Sequence, residues 1–188
     1  MSGTPRISFF GLGWQYYIAG RYSVFAGLIP VAGNILHHAV EMFLKGGLAT
    51  KGDVMPAQAA ADLKDAKDRG HRLDAIWQEF KAAAGDPALS RFDTVISELD
   101  RFESLRYPDN VLKNGMMAGI GRGGKSGTGR SSWNRREPFY EVYLNEIDDL
   151  VFAIHSAASV NPDFYASGFP KPARQFLYEE NFALQPAS

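Results

Sequence analysis

The chain has 188 residues, 45% of them hydrophobic, and a formal net charge of −1. This length predicts one globular domain, 1–188, with room for a hydrophobic core. The chain has no cysteine, which excludes disulfide scaffolds, thiolate zinc sites, iron–sulfur clusters and cysteine nucleophiles. Its near-neutral charge argues against a protein that, like a histone, binds polyanions over its whole surface.

The first apolar stretch, 7–36, does not have the pattern of a membrane segment. Gln15, Arg21 and Asn34 interrupt it, together with five glycines and Pro30. A spanning helix needs about 20 consecutive apolar residues, and a signal sequence ends at a small-residue cleavage site rather than continuing through an arginine. We therefore expect this stretch to be core and the protein to be cytoplasmic, with no membrane attachment.

Apolar residues recur at intervals of three and four along most of the chain, which is the spacing of amphipathic helices. No stretch of useful length alternates as a strand would. Amphipathic helices joined by short turns predict an all-α, antiparallel up-and-down helical bundle. We expect its core at about 9–160, a loop at 108–136 and a C-terminal extension at 161–188. The predicted helices are 14–28, 31–48, 56–69, 71–84, 88–106, 137–160 and 170–184.

A glycine-rich, basic segment precedes the last long helix. Residues 115–130 contain seven glycines, and 110–136 contain six basic residues and no acidic one. The composition is typical of a mobile connection, and the alternative is an Arg/Gly surface that grips phosphate or RNA. Residues 119–126 match the P-loop pattern G-x-x-x-x-G-K-S, but the flanking sequence favours neither the strand nor the helix that a P-loop needs. The candidate phosphate or nucleic-acid contacts are Arg122, Lys125, Arg130, Arg135 and Arg136.

The second predicted helix carries polar side chains on one face. Asn34, His38, Glu41 and Lys45 follow helical spacing at i, i+4, i+7 and i+11, and His37 stands beside them. The pattern fits either a buried stripe that satisfies its own hydrogen bonds or a functional groove. His38 and Glu41 offer two metal ligands, and because no third is evident we predict no metal site and no cofactor.

Polar groups also stand at helix ends. His71, at the start of a helix, is placed to cap it or to approach an anion. Arg106, which closes a helix just before Asp109, is placed to bond the last carbonyls or a buried carboxylate such as Glu41. His155, on the last long helix, is expected to pack rather than react.

Four motifs in series resemble those of the HEPN domain family, over about 9–160. They are YYIAGR at 16–21, LHHAVEMFLK at 36–45, GHRL at 70–73 and RYPD at 106–109. The resemblance implies an up-and-down helical bundle that often pairs as a homodimer, with a connection to nucleotides or nucleic acid. Many members are metal-independent ribonucleases, or partners of small nucleotidyltransferases in toxin–antitoxin and defence systems.

The chain departs from the ribonuclease members in one respect. Their R-x(4–6)-H signature is absent, because no arginine stands five to seven residues before any of the four histidines. A ribonuclease that pairs His38 with Arg21 or Arg106 is one alternative, and a purely structural interaction module is another. The leading hypothesis is a non-catalytic, homodimeric bundle that binds a nucleotide, an RNA segment or a partner protein in one groove. The groove residues are Arg21, Asn34, His37, His38, Glu41, Lys45, His71, Arg106 and Asp109, and the candidate apolar dimer contacts are Trp14, Phe176, Leu177 and Phe182.

Overall fold

The computed structural model describes residues 5–51, 72–103, 117–122, 139–179 and 181–184. Over these residues the fold is an all-α helical bundle with one small sheet, which confirms the predicted fold class. The predicted helix 56–69 lies outside the described residues. The helices are α1 (Pro5–Phe25), α2 (Ile29–Lys51), α3 (Leu73–Ala84), α4 (Asp93–Phe102), α5 (Leu144–Ala157), α6 (Pro162–Ala166) and α7 (Lys171–Tyr178), with 3-10 helices at Pro87–Phe92 and Phe182–Leu184.

α1 and α2 form a hairpin closed by a short turn. Gly27 takes a φ of +76° in that turn, a conformation that residues with a Cβ rarely adopt, and its N–H donates to the carbonyl of Val24. The two helices approach closely because a glycine faces a bulky ring: a Cβ on Gly13 would lie 2.7 Å from the ring of Phe43. At this position the glycine that interrupts the apolar pattern allows close helix packing.

Helix periodicity identified the buried faces of α3 and α4. Trp77 and Phe80 of α3 are fully buried, as are Ile96 and Leu99 of α4. The predicted helix 88–106 differs at its start, where the chain first forms the 3-10 helix. The largest fully buried side chains of the core are Trp14, Trp77, Arg21, Tyr17, Phe10, Phe43, Phe80, Phe102, Leu36, Leu44, Leu73 and Leu89.

A two-stranded parallel sheet corrects two predictions. β1 (Met117–Gly121) lies within the segment predicted as a loop, 108–136, and β2 (Phe139–Tyr143) lies where the helix 137–160 was predicted to begin. In the register, Ile120 is opposite Val142, and both are buried. β1 has glycine at two of its five positions, which leaves few side chains to show a strand pattern.

The segment after 160 is part of the bundle and not an extension of it. Ala166 of α6 and Leu177 of α7 are fully buried, and Leu184 of the last 3-10 helix is buried with them in the same core. Helices as short as these are stable only when they pack on a larger core. No helix among the described residues combines the length and apolar character needed to cross a membrane.

Candidate functional site

One carboxylate organises the polar face of α2. The side chain of Glu41 is only 2% exposed. Its Oε1 accepts a hydrogen bond from Nζ of Lys45 at 2.5 Å, and its Oε2 lies 3.3 Å from Nδ1 of His38. The spacings of three and four residues bring these groups together on one helix face. A buried anion therefore holds a cationic and an imidazole side chain in fixed positions.

The two side chains held by Glu41 reach the surface. The side chain of His38 is 25% exposed and that of Lys45 is 17% exposed. The ring of Tyr16, from α1, lies with its centroid 5.8 Å from that of His38. An ammonium group, an imidazole and an aromatic ring are thus grouped at the edge of the α1–α2 pair, which we call the α2 polar face.

His37 turns inward from this face. It is fully buried, and its Nδ1 lies 3.1 Å from the carbonyl oxygen of Leu99, while its Nε2 lies 3.8 Å from Oε2 of Glu103. Because a carbonyl only accepts, Nδ1 carries the proton of the neutral ring and Nε2 presents a lone pair. Burial lowers the pKa of His37, which favours this neutral form.

The structure supplies a third candidate metal ligand beside His38 and Glu41. One donor atom from each of His37, His38 and Glu41 lies within 4.8 Å of the others. The sequence pattern indicated only the pair at i, i+3, because adjacent helical residues such as His37 and His38 point about 100° apart.

Arg21 was expected in the groove with this face, but the structure places it in a separate cluster. It is fully buried and forms an ion pair with Asp148. Its Nε donates to the carbonyl of Phe176 at 2.7 Å, and its Nη2 donates to the carbonyl of Glu179. Its nitrogens are therefore bonded to protein acceptors and are not available to a ligand.

The cluster around Arg21 ties the C-terminal helix to the core. Tyr17 donates its hydroxyl hydrogen to Asp148, and Asn181 donates to the Tyr17 hydroxyl and to the Leu177 carbonyl, each at 3.0 Å. Burial raises the pKa of Asp148, and the Arg21 guanidinium opposes this shift. Burial, with the charge of Asp148, also raises the pKa of Tyr17 well above its usual value. These contacts indicate a structural role.

Asp148 lies on the core-facing side of α5. Its carboxylate is buried because position 148 lies four residues after Leu144 and three before Val151, both of which face the core. The same spacing rule that identified the apolar seam places Asp148 next to it. An aspartate at a core-facing position of a helix indicates that a cationic side chain is buried beside it.

Asn34 does not join the cluster around Glu41. Its amide nitrogen donates to the carbonyl of Pro30, one turn earlier on α2, at 3.1 Å. Such a bond to the helix's own backbone is common for short polar side chains inside a helix. Of the predicted groove, the structure therefore brings together four residues: His37, His38, Glu41 and Lys45.

Several predicted site residues lie outside the described residues, and Arg122 is the described member of the basic segment. Arg122 is exposed, and its guanidinium carbon lies 4.8 Å from the centroid of the Phe25 ring, at the end of α1. The basic segment therefore leaves β1 close to the α1–α2 turn. The predicted residues outside the described part are His71, Arg106, Asp109, Lys125, Arg130, Arg135 and Arg136.

The part of the P-loop pattern that the structure describes, 119–122, does not have P-loop geometry. Gly119 and Gly121 lie inside β1, where they are paired with Glu141 and Tyr143. In a P-loop the first glycine follows the strand, and the backbone then curves around the phosphate. Here the first glycine of the pattern, Gly119, lies within the strand and has extended backbone.

A shallow cavity of about 360 Å³ lies between the first 3-10 helix and α5. Asp86, Arg91 and Asp149 contribute its charged groups, and none of the groove residues within the described part of the chain lines it. It is therefore distinct from the α2 polar face.

Comparison of the chain with protein-family models, curated proteins and solved structures finds no match.

Proposed function

We propose that this chain is a HEPN-like helical bundle that binds a nucleotide, free or within an RNA segment, at the α2 polar face without catalysing its cleavage. The observation that carries the proposal is the buried Glu41 carboxylate, which holds Lys45 and His38 at the surface of an otherwise apolar helix. Holding side chains before a ligand arrives reduces the entropy lost on binding.

The chemistry of this face suits a phosphate-bearing ligand. An ammonium group binds phosphate as a point charge, and an imidazole offers a further N–H donor. The Tyr16 ring beside His38 adds an aromatic group of the kind on which nucleobases stack. Lys45, His38 and Tyr16 together present the groups that would bind a phosphate and a base.

The ribonuclease alternative loses one of its two arginine candidates. Arg21 is buried and bonded to Asp148 and to two backbone carbonyls, so it does not serve a phosphodiester at His38. Pairing of His38 with Arg106 stays a prediction. The structural-module alternative applies to the Arg21 cluster, whose contacts are all internal, and applies less to Lys45 and His38, which reach solvent.

The proposal includes a homodimer, and a small nucleotidyltransferase or antitoxin as a protein partner, as the HEPN resemblance implies. Two of the candidate dimer contacts, Trp14 and Leu177, are fully buried in the core and are withdrawn. Exposed apolar side chains near the α1–α2 turn support a protein contact there instead. They are Tyr22, Leu28 and Val31.

A matched pair of lysines tests the binding site. Lys45 and Lys81 each pair with one carboxylate, at 2.5 and 2.7 Å, and their side chains are 17% and 16% exposed. We expect Lys45→Met to weaken binding of a labelled single-stranded RNA, measured by anisotropy, by about tenfold, because one charged contact is lost. Lys81→Met should leave the affinity unchanged. Calorimetry with ATP and GTP provides the free-nucleotide probe.

Three outcomes contradict the proposal. If the Lys45→Met and Lys81→Met variants bind the RNA with equal affinity, the α2 polar face is not part of the binding site. If the wild-type protein binds neither the RNA nor the nucleotides, the proposed binding function is wrong. Cleavage of a mixed RNA pool that disappears in His38→Ala would establish the ribonuclease in its place.

A further inference from the structure

One nitrogen on α2 forms no hydrogen bond with the described residues, because the carboxylate oxygen that faces it, Oε2 of Glu103, lies 3.8 Å away and beyond hydrogen-bond distance. This nitrogen is Nε2 of His37, which is fully buried. Buried polar atoms are almost always hydrogen-bonded, because removing them from water without a partner costs free energy. The other ring nitrogen is placed to donate its hydrogen to the Leu99 carbonyl. The unpaired Nε2 therefore presents its lone pair inside the protein.

Two further donor groups lie beside the imidazole of His37. Donor atoms of His37, His38 and Glu41 all lie within 4.8 Å of one another, and Nδ1 of His38 is 3.3 Å from Oε2 of Glu41. Ligands bound tetrahedrally to zinc at about 2.0–2.1 Å are separated by about 3.3 Å. A contraction of up to about 1.5 Å across the widest pair brings the three atoms to that spacing.

We infer that His37, His38 and Glu41 form a binding site for a divalent transition metal of the zinc class. Two neutral imidazoles and one carboxylate are a ligand set that zinc uses when it keeps a fourth position open. The same set disfavours magnesium and calcium, which prefer oxygen ligands. The bound ion would lie between His38 and Oε2 of Glu41, where these groups now contact each other. Lys45 would keep its hydrogen bond to Oε1 of Glu41.

The surroundings of His37 match those of a metal-binding histidine. Such a histidine donates its second ring N–H to a carboxylate or a backbone carbonyl, which fixes the tautomer and aims the other nitrogen at the metal. The Leu99 carbonyl provides this acceptor from α4. The inference goes beyond the proposed nucleotide binding and does not depend on it, although His38 and Glu41 belong to both.

Metal titration of the full chain tests the inference. Protein without an affinity tag is stripped with a chelator and titrated with Co²⁺, whose visible absorption reports its coordination, and with Zn²⁺ by calorimetry. We expect one ion per chain. His37→Gln and Glu41→Gln should each weaken binding by about 100-fold or more, since loss of even an outer-shell partner costs about 10- to 100-fold.

Two variants outside the cluster act as controls. His155→Gln removes another fully buried imidazole, and Glu98→Gln removes a partly exposed carboxylate. Both should bind the metal as the wild-type protein does, and circular dichroism checks that each variant is folded. Absence of a Co²⁺ spectrum in the wild-type protein, or equal weakening by the control variants, overturns the inference. RNA binding measured on the metal-free protein tests the proposed function separately.

Discussion

Trp14 donates its indole N–H to Nε2 of His155 at 3.0 Å, and both side chains are fully buried. An indole only donates, so this nitrogen of His155 is unprotonated. Nδ1 carries the proton and donates it to the Val151 carbonyl at 2.7 Å. Both ring nitrogens are satisfied in the neutral form alone, and His155 packs as the sequence indicated.

The neutral state of His155 predicts acid sensitivity. Burial lowers its pKa from 6.5 to about 4. Between these pH values the unfolded chain binds a proton at this residue and the folded chain does not, so the free energy of unfolding falls as pH falls. The whole loss is about 3 kcal/mol, and it should show as a steeper pH dependence of urea unfolding below pH 6.5.

His155→Gln isolates this contribution, because an amide does not titrate. The variant should be less stable than the wild-type protein at pH 7, and the difference should shrink toward pH 4. His37, whose pKa is also lowered, contributes equally to both proteins and cancels. A difference in unfolding free energy that stays constant from pH 7 to pH 4 would contradict the prediction.

Loss of one member of the buried pair Arg21–Asp148 should lower the free energy of unfolding more than replacement of both members by apolar residues. Asp148→Asn leaves a buried guanidinium without its anion, and we expect the free energy of unfolding to fall by about 3–5 kcal/mol. The double variant Arg21→Met/Asp148→Leu removes both charges and should recover most of that loss. Chemical denaturation measures both.

A surface pair provides the comparison for that experiment. Arg101 and Glu98 pair at 3.0 Å on the exposed side of α4, where such a pair contributes about 1 kcal/mol or less. Glu98→Gln should therefore cost little. If Asp148→Asn costs no more than Glu98→Gln, the Arg21 cluster does not stabilise the attachment of the C-terminal helix.

Two helical glycines should respond to alanine with opposite signs. A Cβ at Gly11 meets nothing within 4 Å, so Gly11→Ala should raise the unfolding free energy by about 0.5–1 kcal/mol through better helix propensity. A Cβ at Gly33 would lie 1.9 Å from the Phe102 ring, so Gly33→Ala should lower it by about 1–3 kcal/mol. Thermal unfolding of the two variants decides this, and a stabilising Gly33→Ala would refute the close approach of α2 and α4.

The basic segment is predicted to add salt-dependent affinity for RNA. Deletion of 119–130 would remove part of β1, so point substitutions give the cleaner test. Arg135→Gln/Arg136→Gln should reduce the slope of log affinity against log salt by about 1.4 if both residues contact phosphate in a single strand. Arg91→Gln/Lys171→Gln, at exposed positions elsewhere, is the control. Equal slopes would identify the segment as a connector.

The regular helices were predictable because their pattern is local. Val95, Ile96, Leu99 and Phe102 repeat at three and four residues, and all four are buried. The grouping of His38, Glu41 and Lys45 was predictable for the same reason, since one turn of one helix brings them together. The β strands were not predicted, because each is five residues long and its partner lies 22 positions away along the chain.

The sequence by itself determined the all-α class, the buried faces of the helices and the polar face of α2, because each depends on spacing within a single element. Tertiary structure alone decided that Arg21 pairs with Asp148, 127 positions later, and that His37 turns toward α4. Both depend on which helices pack side by side, and helix periodicity specifies that a face is buried without specifying its neighbour.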